Sequence, residues 1–201
     1  MIVTSVTKID SRRQKVTLDN EYVFSLYNSE IKKYNITEEC QLSEEFISSI
    51  ERDVLYPRAK ERALYLLGSR DRTKKQLTDK LNEAFYPQNI VDKVVEFASS
   101  YGYIDDERFA ASYIKIKSSS KSRKQIECEL VKKGISHNII RASFQGDYDD
   151  YECEAIRKLL NKTKYKAMLD DTATKGKVIA SMLRRGFEYE KITRCIDEMN
   201  K

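Results

Sequence analysis

Thr73-Lys74-Lys75-Gln76-Leu77 returns as Ser122-Arg123-Lys124-Gln125-Ile126, and again as Thr174-Lys175-Gly176-Lys177-Val178. The offsets are 49 and 52 residues, close to the periods of tandem structural repeats. Downstream the register holds without gaps. Leu81, Leu130 and Met182 share a column, as do Tyr86, Ile135 and Phe187. Val91, Ile140 and Ile192 share another, then Val95, Phe144 and Ile196. Gly134 and Gly186 align, with Phe85 in their place in the first unit.

Each column has a physical task. Thr73, Ser122 and Thr174 read as helix N-caps, and Gln76 and Gln125 complete a reciprocal capping box in the first two. Leu77/Leu81, Ile126/Leu130 and Val178/Met182 stand at i, i+4 on one face. Gly134 and Gly186 supply the left-handed residue that ends that helix. A further apolar helix follows each time. Another precedes it, marked by Ala59, Ala63, Leu66 and Leu67, then Phe109, Tyr113 and Ile116, then Ile156, Leu159 and Leu160. Three repeats of three short helices, stacked so that neighbours bury a continuous core, predict an elongated, curved body.

Upstream the period is that of strands. Residues 2–9, 15–18 and 22–26 are rich in β-branched and aromatic residues and are broken by polar turns at 10–14 and at Asp19-Asn20. They predict a small antiparallel meander, a cap on the helices or a docking surface. Ser43-Glu44-Glu45-Phe46 opens a helix with Phe46, Ile50 and Val54 at helical spacing, and Pro57 marks a boundary or kink. The division expected is a strand module (1–28), connecting helices (29–56) and repeats over 57–104, 105–146 and 147–201.

The chain has 201 residues, 34% charged, a net charge of +5 and a mean hydropathy of −0.63. No apolar run approaches the roughly 18 residues of a membrane span, and the start lacks a signal-peptide pattern; a cytoplasmic protein is expected. Cys40, Cys128, Cys153 and Cys195 form no CxxC pair and read as reduced thiols. Charge is uneven: −3 over 1–56, +3 over 57–104, +4 over 105–146 and +1 over 147–201. The basic middle favours a phosphate-bearing or acidic partner, or is an ordinary solvated surface.

The tempting catalytic readings are weak. Asp105-Asp106 fits a helix start better than a metal pair. Asp147-x-Asp149-Asp150 begins like a calcium loop, but Glu152 stands where Gly is needed and Lys158 where Glu is needed. His137 belongs to the start of the helix after Gly134. No nucleophile–base–orienter set, phosphate loop or dinucleotide fingerprint is present. No enzyme activity, metal or cofactor is expected.

Tyr101-Gly102-Tyr103-Ile104-Asp105-Asp106-Glu107-Arg108-Phe109-Ala110, together with Glu129-Leu130-Val131-Lys132-Lys133-Gly134-Ile135, resembles the best-marked motifs of the RecX family. Ala63-Leu64-Tyr65-Leu66-Leu67 with Arg70 fits as well. The resemblance covers about residues 55–200, and the strand module is similar to that of a subset of the family. It implies three tandem three-helix repeats. It also implies a monomeric regulator that binds the RecA filament on single-stranded DNA, contacts DNA directly in one variant of the reading, and modulates, chiefly inhibits, RecA's ATPase, recombinase and co-protease activities. A DNA-binding regulator acting without RecA and a protein-interaction scaffold are the alternatives. One departure is Ser118-Ser119-Ser120-Lys121, where the family often has Gly or Gly-Pro; another is a long polar insert around Asn161–Thr172.

The candidate contact residues are the basic ones. Lys74, Arg123 and Lys175 follow each expected N-cap, where a cation mildly opposes the helix dipole. Lys132-Lys133 and Arg184-Arg185 end equivalent helices. Lys75, Lys115, Lys117, Lys121 and Lys124 extend the patch. Such side chains neutralise phosphates or acidic protein surface without reading bases. Repeats 2 and 3 are expected to carry most of the contact, and the net-acidic strand module less.

Overall fold

The computed structural model describes residues 1–19, 21–144, 148–161 and 172–199. Three strands, β1 (Val3–Lys8), β2 (Arg13–Leu18) and β3 (Val23–Tyr27), form an antiparallel meander in the order β1-β2-β3, within two residues of the expected ends. The β1–β2 turn is tied by Asp10, whose carboxylate accepts the amides of Arg12 and Arg13 at 2.8 and 2.9 Å, the local bond that makes Asp a turn residue.

Helices α1 (Asn28–Lys33) and α2 (Glu44–Ile50) follow. Ser43 caps α2, accepting the Phe46 amide at 3.1 Å. A π turn over Glu51–Leu55 then runs directly into α3 (Tyr56–Ser69). Pro57 is the second residue of α3 and cannot donate to the preceding turn. The kink expected there takes the form of that π turn.

Repeat 1 is α3, α4 (Lys74–Asn82) and α5 (Gln88–Ser100). Repeat 2 is α6 (Asp106–Lys117), α7 (Arg123–Lys132) and α8 (His137–Ser143). Repeat 3 is α9 (Tyr148–Leu160), α10 (Thr172–Arg184) and α11 (Tyr189–Met199). Both expected capping boxes are formed. Thr73 Oγ1 accepts the Gln76 amide at 3.2 Å and Ser122 Oγ the Gln125 amide at 3.3 Å, and each glutamine side chain returns to the cap amide. Leu77, Leu81, Ile126, Leu130, Val178 and Met182 are all buried. Each contributes about 1.5–3 kcal/mol by leaving water.

Two expectations are corrected. Thr174 is not a cap, because α10 begins at Thr172. Repeat 3 has Lys177 where the others have Gln, so no reciprocal box can stop the helix at 174. Ile116 is not a core residue. It is 68% exposed, and Ala110 and Ile114 of α6, with Ser118 just past its end, line the buried face instead, at the i, i+4, i+8 spacing that one face requires. Asp147, Asp149 and Asp150 fall outside the described side chains, and the insert at 162–171 outside the described residues.

The chain divides into two compact units, Met1–Asp105 and Asp106–Lys201. In the first, one continuous core runs from Val3 through Leu26, Ile50 and Leu81 to Ile104, so the strand module is packed onto repeat 1. Ser25 Oγ donates to the carbonyl of Ala84 at 2.9 Å in a buried bond, and Lys15 lies over the Phe85 ring. Phe85 adopts φ 60°, the left-handed turn of the glycine column, without a glycine. The sheet therefore caps the end of α4. In the second unit, repeats 2 and 3 have separate cores.

Candidate functional site

The joint between repeats 2 and 3 brings the C-terminal end of α10 onto the N-terminal end of α7. Ser122 serves both helices: while capping α7 it donates its hydroxyl to the carbonyl of Arg185 at 2.6 Å. Gly186, at φ +85°, turns the chain there, and a Cβ on it would stand 3.0 Å from Lys124 Cβ and 3.1 Å from Ser122 Oγ. Glycine is required twice over, for the backbone angle and for the close approach. Glu152 of α9, almost wholly buried, accepts the amide of Arg123 at 3.2 Å and the ammonium of Lys191 at 2.8 Å. A carboxylate at a helix N-terminus satisfies an orphan amide and complements the dipole.

This joint creates a groove of about 330 Å³ lined by Lys124, Lys132, Arg184 and Arg185 together with Glu129 and Leu183. Lys124, Lys132 and Arg184 are exposed, and none of the three forms an ion pair among the described residues. The groove's carboxylate is already engaged. Lys121 bonds one oxygen of Glu129, and the Tyr113 hydroxyl donates to the other at 2.7 Å. Partial burial works against charge on Glu129, but Lys121, Tyr113 and Lys117 together outweigh it and hold its carboxyl below the usual range. Burial, then the bond to Glu129, pushes the Tyr113 phenol up to about 12. Lys117 and Lys133 both lie over the same Tyr113 ring, 5.9 and 5.3 Å from its centre. Unpaired cations beside a spent carboxylate leave the groove suited to an anionic partner.

The twelve sequence-predicted residues thus divide. Lys124, Lys132, Arg184 and Arg185 meet in the groove, and Lys117, Lys121 and Lys133 border it through Tyr113 and Glu129. Arg123 is used internally, paired with Glu127 at 2.9 Å and stacked over Phe144. Lys115 is exposed on α6, and Lys175 faces Asp197 at 3.6 Å. Lys74 and Lys75 belong to the other unit, where Lys75 pairs with Asp79 at 2.7 Å. Glu152 was missed. Its signal was a charged residue on the apolar stripe that continues through Ile156 and Leu160, a placement that implies a buried partner.

Other readings find their places. Asp105 immediately precedes α6, and Asp106 and Glu107 occupy its first turn. His137 opens α8 behind Ser136, whose hydroxyl accepts the Ile139 amide at 3.4 Å. The four cysteines are free thiols, and burial, then Cys153, pushes the Cys195 thiol up to about 12. The Ser118–Lys121 connection is a closed turn, with the Ser118 amide bonded to Ile114 at 2.8 Å and the Lys121 amide to Lys117 at 3.0 Å. Among the described residues, no group of His, Cys, Asp or Glu could hold a metal ion, and no helix is long and apolar enough to cross a membrane.

Three tandem three-helix units define a helical-repeat protein. Family models for the first, second and third three-helix domains of RecX match residues 59–97, 105–143 and 149–196. The chain belongs to the RecX family. It is 28% identical to the regulatory protein RecX of Clostridium acetobutylicum, over 97% of this chain and 96% of that one, and 25% identical to that of Clostridium tetani, over 98% and 95%. A crystal structure of regulatory protein RecX superimposes with a TM-score of 0.66 at 21% identity, covering 98% of both chains. That of RecX from Lactobacillus salivarius does so with a TM-score of 0.66 at 26% identity, covering 72% of this chain and 96% of that one.

Proposed function

We propose that this protein is a cytoplasmic, monomeric regulator that binds the RecA filament on single-stranded DNA and inhibits RecA's ATPase, recombinase and co-protease activities, with no reaction of its own. Family membership supports the regulatory role. The observation that carries the choice of surface is the groove at the joint, where equivalent helix ends of two repeats present Lys132 and Arg184 together, unpaired, beside Lys124. A filament of nucleic acid and protein offers phosphates and acidic side chains to such a surface without any need for base readout.

The test is RecA-catalysed ATP hydrolysis on single-stranded DNA with and without the protein. Inhibition at stoichiometric levels is expected, and no change would overturn the reading. The triple variant Lys124→Glu, Lys132→Glu, Arg184→Glu should keep its helical circular dichroism and lose most of the inhibition. Full inhibition by that variant would move the contact off the groove.

A further inference from the structure

A second polar cleft, of about 690 Å³, lies in the first unit between the β1–β2 turn and α3. Its cationic lining is Arg12, Arg13, Arg58 and Arg62, with no lysine. On α3, Arg58, Arg62 and Tyr65 recur at i, i+4, i+7, so one helix face presents two guanidiniums and a phenol. Across the cleft the turn holding Arg12 and Arg13 is fixed. Besides the Asp10 bonds, the Asn28 amide donates to the Arg12 carbonyl at 2.9 Å and the Asn28 side chain to the Ser11 carbonyl at 3.0 Å.

The four arginines are not equivalent. Arg13 is paired with Asp10 at 2.8 Å. Arg58 is clamped by Glu30 and stacked over the Tyr27 ring at 4.4 Å. Arg12 and Arg62 are exposed and form no ion pair among the described residues. Tyr86 forms part of the lining; burial raises its phenol, while Arg58, Arg62 and Arg13 pull it back, which places their charges about that ring. Tyr65 stands at the rim, 79% exposed.

We propose that this cleft binds a short stretch of single-stranded nucleic acid, with Arg12 and Arg62 on phosphates and a base stacked on Tyr65. Arginine's planar fork matches phosphate oxygens in pairs and lies flat on bases, which a lysine ammonium does not. An exposed aromatic ring beside unpaired guanidiniums provides the sequence-tolerant combination of stacking and charge. The site lies in the other unit from the basic groove and does not depend on filament binding.

The experiment uses the full chain and a fluorescein-labelled oligothymidylate, without RecA, followed by anisotropy across a salt series. The double variant Arg12→Ala, Arg62→Ala should weaken binding at low salt at least tenfold. It should also flatten the log–log salt dependence by about 1.4, two phosphates at roughly 0.7 each. Tyr65→Ala should weaken it about fivefold or more, and Tyr65→Phe should restore it. Because all three side chains are exposed, circular dichroism should not change. Binding by the double arginine variant within twofold of the parent would overturn the proposal. So would equal competition by oligoglutamate, which needs charge alone, or by thymidine monophosphate, which needs no strand. Loss of oligonucleotide binding only in the Lys124→Glu, Lys132→Glu, Arg184→Glu variant would overturn it too.

Discussion

Phe85 and Gly186 occupy one column of the repeat, and both hold the left-handed backbone that ends the middle helix, yet they meet different surroundings. Phe85 turns onto the sheet, where Lys15 covers its ring and Ser25 bonds the preceding carbonyl. Gly186 turns onto the start of α7, where Lys124 Cβ and Ser122 Oγ leave no room for a side chain. The left-handed angle costs a non-glycine residue about 1–2 kcal/mol, an amount that packing against the sheet can offset. A Cβ driven into an adjoining helix has no such offset. The glycine at 186 is therefore fixed by what it touches as well as by its own backbone.

The sharpest way to break the comparison is to remove the charge that seals the second joint. Glu152→Ala should destabilise by about 3–5 kcal/mol, since it removes the buried acceptor of the Arg123 amide and the nearer, buried carboxylate of Lys191, whose ion pair with the exposed Glu188 is longer, at 3.4 Å. Urea denaturation of the full chain measures this, and a loss under about 1 kcal/mol would mean that the joint does not rest on that pair. Next in size is Gly186→Ala, at about 2–4 kcal/mol from the angle and the contact combined. The matching change Phe85→Gly should stay within about 1 kcal/mol, because relieved strain offsets the lost ring contact with Lys15. Equal losses at both positions would erase the distinction. The two hydroxyl bonds come next. Ser122→Ala should cost about 1–2 kcal/mol, as it uncaps one helix and frees a carbonyl of another, while Ser25→Ala should cost about 1 kcal/mol.

The smallest effect is one of pH, and it distinguishes the second unit's groove. Tyr113 is neutral when protonated, and its folded pKa of about 12 lies above the ordinary phenol value of 10.0. Its contribution is therefore complete below pH 10 and lost as pH rises from there towards 12. Glu129 is displaced the other way, so its contribution is present above the ordinary carboxylate range and lost as pH falls through its lowered value. Tyr113→Phe should flatten the alkaline limb of the stability profile and cost about 0.5–1 kcal/mol near pH 7 for the lost bond to Glu129. An unaltered alkaline limb would place the titration elsewhere.

Much of this architecture was legible before any coordinates. Thr73 with Gln76 and Ser122 with Gln125, the buried pairs at i, i+4, and Gly134 and Gly186 at helix ends all act within four or five residues, so their spacing declares them. Thr174 shows the limit of that reading. Its threonine matched the column, but the missing glutamine three residues on let the helix begin earlier. Ile116 shows another limit: two apolar residues two apart cannot both face the core of one helix, and Ile114 takes it.

What the sequence by itself determined was the repeat, its caps and turns, and which face of each helix is buried, because these follow from local hydrogen bonding and the helical period. What only the tertiary structure decided was which surfaces meet. Ser122 reaches Arg185 and Glu152 reaches Lys191 across 63 and 39 residues, and Arg12 faces Arg62 from a strand turn in a segment whose net charge is negative. Periodicity states that a face must be covered and a net charge states an average. Neither carries the direction in which one element approaches another, and that direction gathers the groove's lysines and the cleft's arginines.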